Sequence, residues 1–224
     1  NVPKSQIKVL INKEATRDEI ISWFKKFLIE NSAIPKGSQL LFHYSGHGSQ
    51  MRDTTGTEPD GLNETIVPHD SRTGNVFDIP DKTLAGLIDQ LAIAKGDNIT
   101  IILDSCHSGS GTREIRPVGA SPVRRTPMDD RLPPHDLDAG IRLKASEKNA
   151  TRSGWALARS NHVLIAGCLD REESNEHSTA EGITFGALTY FSLEYLKQKQ
   201  SGATYVDWHT YAMRRVNTSY PNQT

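Results

Sequence analysis

The stretch N-I-T-I-I-L-D-S-C-H-S-G, from Asn98 to Gly109, decides the fold of this chain. Its first half, Asn98 to Leu103, is a short and continuously apolar run, which is typical of a strand buried on both faces of a parallel sheet. Its second half adds an acid, a thiol and an imidazole at once. In open parallel sheets functional side chains collect at the carboxyl ends of the strands. The stretch therefore predicts a buried strand that carries reactive residues at its end.

The segments on either side predict the rest of the sheet and its helices. Further strands are predicted at Ile7 to Ile11, Ser38 to Ser45 and His162 to Gly167. Helices are predicted after a capping box at Thr16 and Glu19, over Asp81 to Ala94, from Thr184 to Leu196 and over Val206 to Val216. This order predicts an α/β fold, with a mainly parallel central sheet flanked by helices on both faces.

Composition excludes several classes of protein. The chain has 224 residues, 36% of them hydrophobic and 24% charged, which is typical of one globular domain. No apolar run approaches the ~20 residues of a membrane span. With 26 basic and 27 acidic side chains, the chain lacks the basic excess of nucleic-acid binding. We therefore expect a cytoplasmic protein with neither a membrane nor a nucleic acid as partner.

The chain has only two cysteines, Cys106 and Cys168, which suits a reducing compartment. Two alternatives follow from their number alone: they form one buried disulfide, or they are two inert core thiols. A third alternative is nucleophilic chemistry at Cys106. A cysteine attacks a carbonyl as thiolate, and a nearby histidine both removes its proton and stabilises the anion.

His47 is the candidate base, because the predicted topology brings the ends of parallel strands together. It lies between Gly46 and Gly48 at the end of the predicted strand Ser38 to Ser45. Glycines leave room for a substrate and let backbone amides point at a developing oxyanion. We expect the amides of Gly48 and Cys106 to form that oxyanion hole.

Asp104 is the candidate specificity residue. It stands two residues before Cys106, so strand alternation points both side chains to one face. A carboxylate in a pocket beside the nucleophile can pair with a substrate arginine or lysine. The alternative is a structural role for Asp104, as a helix cap or a loop hydrogen bond.

Two motifs resemble those of a known enzyme family. H-Y-S-G-H-G-S-Q at 43–50 and D-S-C-H-S-G at 104–109 are similar to the catalytic motifs of metacaspases and orthocaspases, the caspase-like cysteine peptidases of family C14. D-G-L-N-E-T-I-V-P-H-D at 60–70 resembles the segment between the motifs, and 163–170 resembles the start of the small subunit. The resemblance implies a caspase-like α/β fold and cysteine endopeptidase activity with preference for Arg or Lys at P1, so the expected partners are polypeptides with a basic P1 residue.

The same resemblance assigns roles to individual positions. It implies that His47 is the general base and Cys106 the nucleophile. It places Ser45, Asp104 and Asp170 in the S1 pocket that receives the P1 side chain.

The resemblance also divides the chain. Residues 1–112 match the large, p20-like part without the first family strand, and 161–224 match the small, p10-like part of the same domain. Residues 113–160 are a Pro/Arg-rich linker that an enzyme of this specificity would cut, so self-processing is expected there. A cleaved N-terminal fragment that carries the first family strand is a further candidate partner. The candidate positions for cleavage are Arg113, Arg116, Arg124, Arg125, Arg131, Arg142, Lys144, Lys148 and Arg152.

Calcium is the cofactor to consider, because some metacaspases require it. The positions that match their acidic cluster are Asn63, Asp78, Ile79 and Arg113, which retain one acid. Calcium prefers six to eight oxygen ligands, so we expect no metal and no other cofactor. The acidic positions Asp53, Glu58, Asp60 and Glu64 leave calcium open as the alternative to a solvated loop.

Other functions compete with the peptidase interpretation. A metal hydrolase would gather His43, His47, His69 and His107, but the chain has no H-E-x-x-H motif. No Gly-x-Ser-x-Gly motif supports a serine hydrolase. A catalytically inactive caspase-like scaffold for protein interactions remains the alternative from another class.

Overall fold

The computed structural model describes residues 2–106, 121–141, 149–150, 156–157, 162–169, 172–198 and 201–223. Its strands are β1 (Leu40–Ser45), β2 (Gly48–Arg52), β3 (Leu62–Ile66), β4 (Ile79–Pro80), β5 (Ile99–Asp104), β6 (Asn149–Ala150), β7 (Ala156–Leu157), β8 (Val163–Ala166), β9 (Glu176–Ser178) and β10 (Thr184–Gly186). Its α-helices are α1 (Arg17–Trp23), α2 (Asp81–Lys95), α3 (Ala187–Lys197) and α4 (Tyr205–Ser219). A π-helical segment, Phe24–Ile29, continues α1, and single 3₁₀ turns lie at Lys4–Gln6 and Asn12–Glu14.

The central sheet is parallel, with strand order β1-β5-β8 in the described residues. Its middle strand, β5, is buried at every position. Side chains alternate between the two faces of a strand, so a strand covered on both faces must be apolar throughout. The continuous apolar run of β5 therefore reflects its central place.

Helices cover both faces of this sheet. Ile101 and Leu103 pack in one cluster with side chains of α2, whereas Ile102 packs in a second cluster with side chains of α3 and α4. Neighbouring residues of one strand thus serve two separate cores. The predicted fold class, an α/β fold with a parallel sheet flanked by helices on both faces, is confirmed.

Capping residues fix where the helices begin. The Thr16 hydroxyl accepts a hydrogen bond from the amide of Glu19 at 3.3 Å, so α1 begins where the sequence predicts. Helix α4 begins with a full capping box between Thr204 and Asp207. Such a box satisfies amides that have no partner within the helix.

A second, antiparallel sheet with order β2-β3-β4 follows β1 directly. The sequence analysis missed it, because β2 reads G-S-Q-M-R and lacks the alternation of apolar residues that identifies strands. Its polar side chains are nevertheless buried at Ser49 and Gln50. Its first strand, β2, begins three residues after the last residue of β1.

Two predicted elements are wrong. The run Ile7 to Ile11 pairs with none of the described strands, and Ile7, Val9 and Ile11 are at least half exposed. Apolar character without a neighbouring strand forms no ladder. Thr184 does not begin a helix: Thr184–Gly186 pairs antiparallel with Glu176–Ser178, because β-branched and aromatic residues with a partner strand favour a sheet and Gly186 disfavours a helix.

None of the helices in the described ranges combines the length and the apolar character that a membrane crossing requires.

The double-sided core makes a prediction about stability. Leu103 on β5 is fully buried, whereas Leu41 on β1 is 56% exposed. Leu103→Ala is expected to lower the free energy of unfolding by about 2–5 kcal/mol, because it leaves a cavity. Leu41→Ala, the matched control, is expected to change it by less than about 0.5 kcal/mol. Urea unfolding followed by circular dichroism measures both, and equal losses would contradict this account.

Candidate active site

Parallel pairing brings the two candidate reactive residues to one edge of the sheet. In the register of β1 and β5, Ser45 stands opposite Asp104. His47 and Cys106 each lie two residues beyond these paired ends. His47 is exposed, whereas Cys106 is fully buried. Both residues thus lie at the carboxyl ends of neighbouring parallel strands, where functional groups collect.

Tyr44 holds the loop that carries His47. Its hydroxyl donates to the carbonyl oxygen of His47 at 2.7 Å and accepts from the amide of Val67 at 3.1 Å. Burial raises the pKa of Tyr44, so the hydroxyl keeps its proton. A Cβ at Gly46 would lie 2.6 Å from this oxygen, so glycine lets the loop pass over the ring. The imidazole therefore extends from a fixed backbone.

The two cysteines are neighbours, and both are free thiols. The Cys106 thiol donates to the carbonyl oxygen of Glu172 at 3.2 Å. Sγ of Cys168 lies 3.8 Å from the carbonyl oxygen of Ser105. A hydrogen bond with Cys106, together with burial, raises the pKa of the Cys168 thiol. Cys168 is thus a neutral thiol beside the candidate nucleophile, and no disulfide joins the pair.

One oxygen atom occupies the predicted oxyanion position. The carbonyl oxygen of Arg124 accepts hydrogen bonds from the amides of Gly48, at 2.9 Å, and Cys106, at 3.0 Å. These are the two amides that the sequence analysis assigned to the oxyanion hole. Two donors that converge on one carbonyl oxygen polarise it as they would a substrate carbonyl.

The chain around Arg124, which we call the docked segment (residues 122–129), forms isolated bridges with β2 and with Asn175. The amide of Arg124 donates to the carbonyl oxygen of Ser174 at 2.9 Å, on one side of the segment. On the other side of the segment, the amide of Thr126 donates to the carbonyl oxygen of Gly48 at 3.0 Å. The segment therefore bridges the β9 region and β2 by backbone hydrogen bonds, which is how an extended peptide adds to a sheet edge.

The Arg124 side chain is 11% exposed, and three of its nitrogens face polar groups of the site. Nε donates to the carbonyl oxygen of Asp104 at 3.0 Å, and Nη2 donates to Oγ of Ser45 at 3.0 Å. Nη1 lies 3.9 Å from Oε1 of Glu176. Ser45 and Asp104, both assigned to the S1 pocket from the sequence, thus contact one guanidinium group.

The Asp104 carboxylate has other partners. It is fully buried and accepts hydrogen bonds from Oγ of Ser174 at 3.0 Å and from the amide of Thr189 at 2.8 Å. The second contact caps the first turn of α3, the structural role that the sequence left as the alternative. Asp170, the third S1 candidate, lies outside the described residues.

Beyond Arg125 the docked segment follows β2. Oγ of Ser49 donates to the carbonyl oxygen of Pro127 at 2.9 Å, and Arg72 donates to the same oxygen. Arg72 also forms an ion pair of 3.0 Å with Asp78. The carbonyls of the segment are therefore held by side chains as well as by the strand.

An ion pair ends the docked segment. Nη2 of Arg131 lies 2.6 Å from Oδ2 of Asp129, and Arg131 also donates to the carbonyl oxygens of Gly74 and Val76. The hydrogen bonds from Arg131 lower the pKa of Asp129. Part of the expected exposed linker is thus packed against the site.

The other candidate positions for linker cleavage divide into two groups. Arg125 and Arg131 belong to the described part of the chain. Outside it lie Arg113, Arg116, Arg142, Lys144, Lys148 and Arg152.

A lysine fills the acidic loop that the sequence left open for calcium. Nζ of Lys82 lies 3.0 Å from Asp53 and 3.3 Å from Glu58. Burial raises the pKa of Asp53, but hydrogen bonds from Thr55 and Lys82 outweigh burial and hold this pKa well below its ordinary value. Asp60 accepts a hydrogen bond from the amide of Leu62, and Glu64 is buried on β3. An ammonium group thus supplies the positive charge at this loop.

The second calcium hypothesis concerned Asn63, Asp78, Ile79 and Arg113. Asp78 is the acid of this set, and its carboxylate accepts hydrogen bonds from Thr65, Ser71 and Arg72. Ile79 is a core residue, and Arg113 lies outside the described residues. The oxygens of Asp78 are therefore engaged by protein donors.

The histidines of the metal-hydrolase hypothesis contact different parts of the chain. Nε2 of His43 lies 3.0 Å from Oγ1 of Thr189, and the amide of His69 donates to the carbonyl oxygen of Ala15. His107 lies outside the described residues. Within the described ranges, no three histidine, cysteine or acidic side chains converge as metal ligands.

Sequence reasoning missed two features of this site. Ser174 and Glu176 stand in no motif of the sequence, and Arg124 was one of nine basic linker residues without a distinguishing signal. Only the fold shows that Ser174 donates to the Asp104 carboxylate at the end of β5 and that the Arg124 guanidinium lies between Asp104 and Glu176.

Comparisons with known proteins agree with the fold and the motifs. Residues 3–113 match the family model of the metacaspase, peptidase C14 domain. Metacaspase-1 of Arabidopsis thaliana is 32% identical over 172 residues, which is 75% of this chain and 41% of that protein. Metacaspase-1 of Plasmodium falciparum is 27% identical over 221 residues, which is 95% of this chain and 30% of that protein.

The chain belongs to the metacaspase family. It spans less than half the length of these curated relatives. A crystal structure of a protein from Geobacter sulfurreducens shares the fold, with a TM-score of 0.63 and 24% identity over 97% of this chain and 74% of that chain. The family resemblance inferred from the two motifs is thereby confirmed.

The packing of Asp104 makes a prediction for this metacaspase chain. A Cβ at Gly186 would lie 2.0 Å from Oδ2 of Asp104, whose carboxylate is fixed by buried donors. Gly186→Ala is expected to lower the thermal midpoint by several degrees, because overpacking costs about 1–3 kcal/mol. Gly140→Ala, where a Cβ meets no atom within 4 Å, is the matched control and should leave the midpoint unchanged. An unchanged midpoint for both variants would contradict the packing described.

The Asp129 ion pair makes a prediction about pH. Because the folded-state pKa of Asp129 is lowered, its stabilising effect is present above the unfolded pKa of ~3.9 and is lost as pH falls through the folded pKa. Asp129→Asn should therefore lower the thermal midpoint at neutral pH, with a difference that shrinks as the pH falls below ~4. Asp130→Asn, at an exposed neighbour, should have little effect at either pH. Thermal scans on Cys106→Ala chains measure this, and a difference that persists in acid argues against the ion pair.

Proposed function

We propose that this metacaspase chain is a cysteine endopeptidase that uses Cys106 and His47 to cleave after arginine or lysine, and that it cuts its own linker after Arg124. The observation that carries the proposal is the position of Arg124: its carbonyl oxygen accepts from two convergent amides, and its guanidinium lies against Ser45 and Asp104. A peptide bond in this setting is presented as a substrate.

The proposed mechanism starts with proton transfer from the Cys106 thiol to His47. The thiolate attacks the carbonyl carbon of the P1 residue, and the oxygen takes up negative charge between the amides of Gly48 and Cys106. Collapse breaks the C–N bond, and His47 returns the proton to the leaving amine. Water then hydrolyses the thioester, which restores the thiol and releases the new carboxylate.

The thiol starts from a resting orientation. Its hydrogen points to the carbonyl oxygen of Glu172, so it must turn toward His47 before attack. Buried thiols without an adjacent base are inert. Activation therefore depends on the exposed imidazole at the neighbouring strand end.

The burial and charge of the pocket support a basic P1 residue. Arg124 is almost fully buried, and a buried cation requires acceptors and negative charge. The site supplies the carbonyl oxygen of Asp104, the hydroxyl of Ser45 and the carboxylate of Glu176. Asp104 also carries a carboxylate of its own. An acidic or apolar P1 side chain would leave these groups without a partner.

The alternative function is an inactive scaffold that binds a peptide without cutting it. The docking of residues 122–129 by itself fits both functions, because the backbone contacts need no chemistry. The retained thiol and imidazole at adjacent strand ends favour the enzyme, since a scaffold needs neither.

Self-cleavage is the direct test. The wild-type chain is expected to split into two fragments, of which the C-terminal one begins at Arg125, as read by N-terminal sequencing. Cys106→Ala should stay intact because it lacks the nucleophile. Cys168→Ala, which removes the neighbouring thiol, is the matched control and should still be cut.

A second measurement separates enzyme from scaffold. Arg124→Ala should abolish the cut at this bond while peptide substrates with P1 Arg are still cleaved in trans. Intact wild-type protein together with uncleaved peptides in both reactions would establish the scaffold and reject the enzyme.

A further inference from the structure

Three nitrogens of the Arg124 guanidinium meet three different groups. Nε is bonded to a backbone carbonyl oxygen, Nη2 to the hydroxyl of Ser45, and Nη1 faces the carboxylate of Glu176. Within the described residues, Glu176 is the carboxylate at ion-pair distance from this guanidinium. The pocket therefore recognises the shape of the group as well as its charge.

The Asp104 carboxylate is less available for recognition. Both of its oxygens accept hydrogen bonds from buried donors, Ser174 and the amide of Thr189. The Arg124 guanidinium bonds the carbonyl oxygen of Asp104 and not its carboxylate. We therefore look to another side chain for the choice between arginine and lysine.

Glu176 is positioned by the same backbone that binds the docked segment. Its amide donates to the carbonyl oxygen of Pro122 at 2.8 Å, and its carbonyl oxygen accepts from the hydroxyl of Tyr220 at 3.0 Å. It also begins β9, where it pairs with Gly186. The side chain thus projects from a fixed strand beside the P1 position.

Lysine offers this pocket fewer contacts. It has a methylene where arginine has Nε, so the carbonyl oxygen of Asp104 loses its donor. Its ammonium lies one bond short of the terminal guanidinium nitrogens, the nearer of which is already 3.9 Å from Glu176. A compact ammonium also cannot address several acceptors in a plane as a guanidinium does.

We propose that Glu176 makes this site prefer arginine over lysine at P1. The inference rests on the proposed function and refines it, because it assigns the choice between the two basic residues to a side chain outside the two catalytic motifs. The effect is moderate, since the Glu176 side chain is 24% exposed and solvent screens its charge.

The experiment compares two peptides that differ only in Arg or Lys at P1. Wild-type protein is expected to cleave the Arg peptide with a kcat/KM at least about tenfold higher than the Lys peptide. Glu176→Gln keeps the shape of the side chain and removes its charge, so it should lower kcat/KM for the Arg peptide about five- to tenfold and for the Lys peptide less than about twofold. Glu176→Asp, which shortens the side chain, should give an intermediate loss and keeps the test decisive if the first variant folds poorly.

Glu181→Gln provides the control. Glu181 is an exposed acid in the turn between β9 and β10, so its removal changes the net charge equally without touching the pocket. Its Arg-to-Lys ratio should equal that of wild type. If Glu176 had a merely structural role, its substitution would lower kcat/KM for both peptides together and leave the Arg-to-Lys ratio of kcat/KM unchanged.

The outcomes separate the two proposals. If wild type cleaves the Arg peptide and Glu176→Gln keeps the wild-type ratio, the assignment of Glu176 is wrong while the peptidase function stands. If wild type cleaves neither peptide, both proposals fall. A ratio that drops only in the Glu176 variants supports the assignment.

Discussion

The parallel pairing of β1 with β5 is the constraint on which the rest of the structure depends. Because the register sets Ser45 opposite Asp104, residues the same distance beyond each strand end must emerge side by side. A shift by one residue would turn alternate side chains of β5 to the wrong face, away from two separate cores. Burial on both faces of β5 therefore fixes the register that brings the chain after β1 and the chain after β5 to one edge of the sheet.

Self-recognition follows from an open sheet edge beside these strand ends. The docked segment satisfies amides of Gly48, Cys106 and Glu176 that an empty site would leave to water. Under the proposed function, a substrate would have to replace these hydrogen bonds with equivalent ones, so the intact segment would compete with it. A tethered competitor acts at a high effective concentration, and its removal requires either cleavage or displacement.

The sequence was sufficient for the elements whose signal is local. The apolar run of β5, the N-cap at Thr16 and the spacing of the motifs around His47 and Cys106 each follow from neighbouring residues. The failures share a different cause: Ile7 to Ile11 has strand character without a partner, and Thr184 has a partner that lies six residues upstream, across a turn. The seating of Arg124 depends on the path of the chain between distant elements, which no local pattern encodes.

The docked segment is held on both sides of Arg124, and these contacts bear on what a cut after Arg124 would achieve under the proposed function. On the C-terminal side the Asp129 ion pair, the Arg17 ion pair of Asp138 and the core contact of Ile141 are independent of Arg124. On the N-terminal side, the contacts of the described residues include those of Arg124 itself, the carbonyl oxygen of Pro122 and the bridge between Val123 and Asn175. Under the proposed function, a cut after Arg124 would leave the chain from Arg125 onward held along β2 by contacts that do not involve Arg124.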